Sequence, residues 1–469
     1  MKLSITVKHT FLYGLSIVLM RGISLIMLPF VAHYLVPSEF GRLEVLSSIS
    51  MVGSVLVGLG LDNSLFRFVG QAQTKEDKSN VAGQIFTLAL VAAAFTVLLS
   101  FIAVSWVVNW LPGELTKYQV SLVFYSLALE GLIAVPLGWL RMNNHALTFF
   151  SATVGRVVLQ ASLTVLFLLN IPSVEDVLEA GFIAALTLTA FLFWRMMQDM
   201  RLGWNRARVK QVLTYSYPII ISGLVAFVLM GLDRVIIAEF TNLTQVAIYG
   251  VAVKFAIAVV LLLQPYTIWW SPKRFEVLSL PGGARKAASF ISMGLVFLVL
   301  ATFLVMTSAA FVIELLMPET YYAAIEVLLI LALAMAFKEA AELINIGCFI
   351  NDKTHAQMWV NIMASAIGLL GLWLWVPVYG AIGAAYALLL AQAIKTLIFF
   401  FASQYFHRLD YPLARVLCFS TVVLGVAGLM QTLEGSIWRF IVGLLCLPLM
   451  IYLAIQIKLL DKRVLIAEK

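Results

Sequence analysis

The stretch "YSYPIIISGLVAFVLMGLDRVIIAEF", residues 215–240, decides how the chain is read. Its 26 residues are predominantly apolar and exceed the roughly 20 that a helix needs to cross a bilayer. Near its end it places Asp233 beside Arg234. A charge in the hydrocarbon core costs several kcal/mol, so such residues persist only by pairing, by snorkelling to an interface or by facing water. The stretch therefore announces a membrane helix with a reason to carry charge.

The rest of the sequence agrees. Of 469 residues 62% are hydrophobic and only 12% are charged; the mean hydropathy is +1.00. Soluble domains sit near 45–50% apolar and about 25% charged, so the solvent is lipid. Fourteen apolar runs of helical length follow, near residues 11–32, 43–62, 83–111, 118–140, 149–170, 176–194, 214–238, 246–270, 288–315, 322–349, 358–378, 381–402, 413–431 and 437–457. They are continuous and about twice the length of a membrane strand, which excludes a barrel. The expected class is an all-α polytopic membrane protein. The first run shows no small-residue cleavage site before "HYLVPSEFGR" and reads as an uncleaved helix. Cys348, Cys418 and Cys446 lie in or beside apolar runs without metal spacing and read as buried small hydrophobes.

Lysine and arginine set the orientation. Twenty-one of the 31 fall on the face that holds the N-terminus and every second loop, including the loop 195–211, "RMMQDMRLGWNRARVKQ". Only Arg42, Lys117 and Arg439 fall on the other face. By the positive-inside rule both termini are expected in the cytoplasm. The net charge of +7 then needs no nucleic acid, because basic loops beside anionic lipid account for it. Trp269 and Trp270 before "SPKRF" read as an interfacial belt.

Two echoes suggest duplication. "NNHALTFFSATVG" (143–155) and "KTHAQMWVNIMAS" (353–365) align His145 with His355, each after a polar turn. "VPSEFGRLEVLSS" (36–48) echoes "NLTQVAIYGVAVK" (242–254) more weakly. The expected organisation is a six-helix lobe over 1–206, a second over 207–402, and a helix pair with a tail over 403–469. Same-orientation repeats imply a pseudo-two-fold axis along the membrane normal.

Seven basic residues remain inside or at the edges of helices: Arg21, Arg156, Arg234, Lys254, Lys338, Lys395 and Arg415. Arg21 lies mid-helix with no acid within a turn. Lys254 lacks a local partner, and Lys338 has Glu342 one turn away. Arg156 and Lys395 are close enough to helix ends for their stems to snorkel, and Arg415 reads as interfacial. Residues adjacent on a helix point about 100° apart, so Asp233 and Arg234 are expected to seek partners elsewhere. The acids expected in the bilayer are Glu130, Asp233, Glu326, Glu339 and Glu342. Cations slightly outnumber them, which suits an anionic ligand. The candidate ligand-binding set is Arg21, Arg156, Arg234, Lys254 and Lys338; Asp233, Glu130 and Glu342 are candidate structural or coupling charges.

Four stretches carry a family resemblance: "HYLVPSEFGRLEVLSSI" with Pro37, Phe40 and Gly41; "GLGLDNSLFRFVG" (58–70); "DRVIIAEFTNLTQVAIYGVAVKF" (233–255) with Asp233, Ala247 and Tyr249; and "NDKTHAQMWVNIMASAIGLLGLWLWVPVYGAIGAAYALLLAQ" (351–392) with Pro377, Gly380, Gly383, Ala384 and Ala385. With these the chain resembles the polysaccharide transporter branch (Wzx-like, O-antigen flippases) of the multidrug/oligosaccharidyl-lipid/polysaccharide exporter superfamily. Ala247 departs from the glycine more common there. The resemblance implies fourteen helices in two six-helix lobes, a V-shaped cavity and alternating access. It also implies translocation of a polyprenyl-pyrophosphate-linked oligosaccharide from the inner to the outer leaflet, with membrane lipids, a glycan polymerase and a chain-length regulator as partners. It further suggests that Asp233 ties its helix to a neighbour while Arg234 faces the cleft.

Other classes stay open on sequence. A cation-coupled multidrug exporter of the same superfamily would lean on unpaired carboxylates in the first lobe, where Glu130 and Asp62, the latter near a helix end, are the available acids. A peptidoglycan-precursor flippase would also use a basic cavity, and a membrane scaffold for glycan assembly would not need Arg21 or Lys254. No HExxH, P-loop or GxSxG motif occurs, so an enzyme is not expected, nor any metal or cofactor.

Overall fold

Helix breaks, more than helix formers, organise this chain, because nearly every segment is apolar enough to be helical. The computed structural model describes residues 5–170, 172–352 and 354–460. Lys2, Lys353, Lys462, Arg463 and Lys469, used above for orientation, lie outside the described residues, as do the side chains of Lys8 and His355. Among the described residues there is no strand. The helices are α1 (Ile5–Tyr34), α2 (Pro37–Gly58), α3 (Leu61–Gln71), α4 (Lys75–Trp110), α5 (Lys117–Met142), α6 (Ala146–Leu168), α7 (Val174–Asp199) and α8 (Arg206–Met230). They continue as α9 (Leu232–Phe240), α10 (Leu243–Ala256), α11 (Ala258–Ser279), α12 (Gly283–Leu316), α13 (Ala324–Ile344), α14 (Thr354–Phe406), α15 (Leu413–Met430) and α16 (Ser436–Gln456).

The starts are chemically marked. Pro37 opens α2, where its missing N–H costs nothing. Thr116 with Gln119, and Ser173 with Asp176, form reciprocal capping boxes at α5 and α7. Leu59 and Gly60, both at positive φ, end α2 and begin α3. On α3 the residues Leu61, Ser64, Leu65 and Val69 face inward at helical spacing. Asn63, Phe66, Arg67 and Gly70 face out, which makes α3 a short amphipathic element.

Twelve of the described helical stretches are long and apolar enough to cross a membrane, and the protein is multi-pass. The expectation of fourteen crossings counts α14 as two and α13 as one. At 53 residues α14 would be about 80 Å long if straight. It is not straight: Gly380 sits at φ 57°, ψ −132°, just after Pro377. Beyond it the chain doubles back, so that Gly371 lies against Ala387 and a Cβ on Gly383 would overlap the Trp375 carbonyl. Only glycine tolerates that backbone conformation easily. Helix α13 fails the apolar criterion because it carries Glu326, Lys338, Glu339 and Glu342.

The chain packs as two compact units, residues 1–247 and 248–469. In the first, α4 and α7 pack on α5, α1 and α7 on α6, and α3 nests between α4 and α5. Its core includes Leu65, Ile85, Phe86 and Val135, with a second cluster around Ile133, Leu140 and Leu188. The arm α8–α9 packs on α2, α3 and α4, so these helices, assigned by the repeat to the second lobe, pack with the first. The basic loop leading into it is pinned to α4. Ser79 donates to the Asp199 carbonyl at 2.8 Å, and the Gly203 amide donates to Thr87 Oγ1 at 3.2 Å. Gly41 lies so close to Leu243 that a Cβ would overlap its carbonyl, a contact between the two weaker echo segments. In the second unit α12 packs on α11, α13, α15 and α16, and α13 on α14. Trp270 is buried there against Phe290 rather than lying in an interfacial belt.

The doubling back of α14 is checked by single cysteines at Tyr379 and His407 in an otherwise cysteine-free chain. An impermeant maleimide should label them from opposite sides of the membrane; labelling from one side would remove the hairpin.

Candidate functional site

The charges of the opening stretch lie together in the first unit. Gly231 breaks the helix between α8 and α9, and Asp233 lands in the first turn of α9. Amide groups there lack helical partners, and the Asp233 carboxylate accepts the Arg234 N–H at 2.8 Å. Arg234 Nη1 then reaches Asp233 Oδ1 at 3.2 Å and the Met230 carbonyl at 3.2 Å. Its Nε donates to Glu44 Oε2 of α2 at 2.9 Å. The Glu44 and Asp233 side chains are 2% and 4% exposed, that of Arg234 12%.

Two expectations change here. Adjacent Asp233 and Arg234 do pair, because the break at Gly231 frees the carboxylate to turn back. And Arg234 itself bridges to a neighbouring helix, held between two carboxylates, where the tie was expected of Asp233. Glu44 was not among the acids expected in the bilayer, since it follows a polar turn. Its signal is spacing: Phe40, Gly41, Glu44, Val45 and Ser48 form one buried face of α2.

Glu130 of α5 and Arg156 of α6 form a second group in this unit. They interact electrostatically but make no ion pair within 4 Å. Arg156 makes no hydrogen bond or ion pair with any described residue and is half-buried. It lies near the midpoint of α6, about 15 Å along from Ala146, deeper than the helix end expected from sequence. It lines a cavity of about 350 Å³ between α6 and α7 with Ser151, Ala152, Gly155, Leu159, Ala184, Thr187, Leu188 and Phe191.

The second unit has its own cluster. Lys338 Nζ lies 3.7 Å from Glu339 Oε1. Lys395 Nζ of α14 lies 3.6 Å from Glu342 Oε1, and Asn345 donates to Glu342 at 3.1 Å. The expected Lys338–Glu342 pair along α13 gives way to a cross-helix pair, because α13 and α14 pack closely. Lys395 is 8% exposed and does not snorkel. The Arg274 guanidinium sits over the rings of Phe275 and Phe349 at 4.7 and 4.8 Å. Lys254 is half-buried on α10 between buried Val253 and Phe255. Arg21 is exposed on α1.

Comparison with known proteins now sets the family. The family described as polysaccharide biosynthesis protein matches residues 6–272. The chain belongs to this family. Among curated proteins no relative matches. As a member of the polysaccharide biosynthesis protein family, the chain shares its fold with solved transporters. A structure of "Lipid II flippase MurJ, inward closed conformation" superposes with a TM-score of 0.73 at 13% identity, over 96% of this chain and 98% of that one. A multidrug resistance MATE family transporter of the MOP superfamily, inward-facing, gives 0.60 at 13%, over 82% and 94%. A mutant of the Vibrio cholerae MATE transporter VcmN gives 0.56 at 18%, over 86% and 97%. The family member described here thus shares the fold of these transporters.

The ion pairs sort the candidate residues by what they are free to do. Arg234 is committed to Glu44 and Asp233, and Lys338 to Glu339, whereas Arg156 lines a cavity. Truncating one partner of a buried pair leaves the other charge uncompensated, at about 3–5 kcal/mol. Arg234→Ala and Glu44→Ala should each lower the melting temperature of the detergent-purified protein, and the double variant should lose less than their sum. Strict additivity would show that the pair is not coupled.

Proposed function

We propose that this protein is a flippase that carries a polyprenyl-pyrophosphate-linked oligosaccharide, an O-antigen, capsule or exopolysaccharide repeat unit, from the inner to the outer leaflet. The observation that carries the reading is the conjunction of a polysaccharide biosynthesis family match with a fold superposing along nearly the whole length of a lipid flippase. The substrate is a lipid whose headgroup is large, polar and twice negatively charged. Moving it needs cations inside the bilayer and no covalent chemistry, and the membrane helices supply Arg21, Arg156 and Lys254, with Lys338 held by Glu339. Glu130 holds Arg156 electrostatically without closing on it. Arg234 serves with Asp233 and Glu44 as a structural tie, and Glu342 with Lys395. The substrate headgroup meets each leaflet in turn, with both termini cytoplasmic in the inner membrane. A glycan polymerase and a chain-length regulator act on the product.

A cation-coupled exporter of small molecules would share the fold. The polysaccharide family match weighs against it, as does Glu130, whose neighbour is a cation. A peptidoglycan-precursor flippase is the nearer alternative, since the superposed flippase is named for lipid II.

Deleting the gene in its native host and extracting lipids separates these readings. Carrier-linked repeat units should accumulate while surface glycan falls. Accumulated peptidoglycan precursor with normal glycan would favour the alternative flippase, and unchanged lipids with new sensitivity to cationic dyes would favour the exporter.

A further inference from the structure

The α6–α7 cavity has features that neither the family match nor the fold explains. Its one charged group, Arg156, stands near the middle of a helix that spans the bilayer, and it makes no hydrogen bond or ion pair with any described residue. The polar hydroxyls beside it are already used as donors: Ser151 to the Leu147 and Thr148 carbonyls, Thr187 to Ile183. Arg156 is therefore the group with donors to offer. A guanidinium at this depth costs several kcal/mol unless something anionic or aqueous meets it.

The cavity continues along α6. A second, more open one of about 430 Å³ is lined by Ala161, Ser162, Val165, Leu166 and Leu169. Ser151, Gly155, Leu159, Ser162 and Leu166 recur at helical spacing and join the two along one side of α6. From Ser151 to Leu169 this strip is about 27 Å long, close to the roughly 30 Å of a hydrocarbon core. Apart from Arg156 and the Ser162 hydroxyl, its lining is apolar or internally hydrogen-bonded.

We infer that the α6–α7 cavity is a mid-membrane station for the phosphate end of a long-chain polyprenyl lipid, with Arg156 binding phosphate and the strip along α6 seating the chain. The inference rests on the flippase reading and names a place for its substrate. Two observations favour a carrier lipid over a bilayer phospholipid. A resting phospholipid keeps its phosphate at the interface, whereas Arg156 lies near mid-helix, where only a headgroup in transit would meet it. An acyl chain covers one leaflet, about 15 Å of core, whereas from Arg156 to Leu169 the strip runs about 20 Å. Fork-like donors suit phosphate oxygens.

Two variants test the site separately. Arg156→Ala removes the donors. Gly155→Phe fills the cavity, and a Cβ there meets nothing within 4 Å, so the helix accepts it. The full chain in nanodiscs is titrated with a C55 polyprenyl diphosphate, the corresponding C55 alcohol and phosphatidylglycerol, with bound lipid read by native mass spectrometry and folding by melting temperature. The inference expects both variants to bind the diphosphate at least ten-fold more weakly than the parent. Arg156→Lys should recover part of the loss, and Arg156→Ala should leave alcohol binding unchanged. Parent-like diphosphate binding by both folded variants would overturn the station while leaving the flippase reading standing. Competition by phosphatidylglycerol at equal concentration would assign the cavity to bulk lipid and overturn it as well. A parent chain that binds no polyprenyl diphosphate would overturn the flippase reading itself.

Discussion

The cost of charge in hydrocarbon governs this protein. Lipid gives no hydrophobic force between helices, so association depends on close packing and on polar groups that must find each other. Every ionised side chain placed between apolar helices is a constraint: it requires a partner, and the partner fixes where a neighbouring helix can lie. Arg234 shows the consequence. Bound to Glu44 of α2 and to Asp233 at the start of its own helix, it sets α9 against α2. Lys395 and Glu342 do the same for α14 and α13. Glycines supply the complementary constraint, since Gly41 and Gly83 let backbones approach carbonyls that no side chain could face.

The same constraint explains why packing and sequence repeat draw different boundaries. The repeat places a division after the basic loop near residue 206. Packing divides the chain after Ala247. The difference is the α8–α9 arm, held to the first unit by the Arg234 bridge, by Ser64 against Ser216 at 3.1 Å, and by the loop pinned to α4. The echoes compare stretches of sequence, and ion pairs and hydrogen bonds describe what the segments rest on.

Much of the fold was legible because apolar length is a one-dimensional signal: a run of 20 residues declares a span whatever surrounds it. The breaks were legible where glycine and proline mark them, as at Pro377–Gly380. The pairing of charges was not, because it is a relation between helices and the sequence shows only one helix at a time. Lys338 and Glu342 are one turn apart and looked like partners, yet Lys395 from α14 comes nearer to Glu342. Glu44 escaped notice because it sits beside a polar turn, although its helical spacing with Phe40, Gly41 and Ser48 marked a buried face. Trp270 escaped for a similar reason: a tryptophan next to basic residues suits an interface, and only the packing of Phe290 shows it turned inward.

Arg156 is informative because it departs from the rule that the other described ion pairs follow. Arg234, Lys338 and Lys395 have carboxylates within reach: Arg234 and Lys395 spend their donors between helices, and Lys338 on the adjacent Glu339. Arg156 has Glu130 in its field but beyond contact, and a cavity at its side. A fully closed Arg156–Glu130 pair would be as structural as the others and would offer a passing anion little. An arginine with no acid nearby would bind an anion tightly and hold it. A carboxylate at intermediate range lowers the cost of the cation while leaving its donors open, and that balance suits a group that must bind a headgroup and then release it.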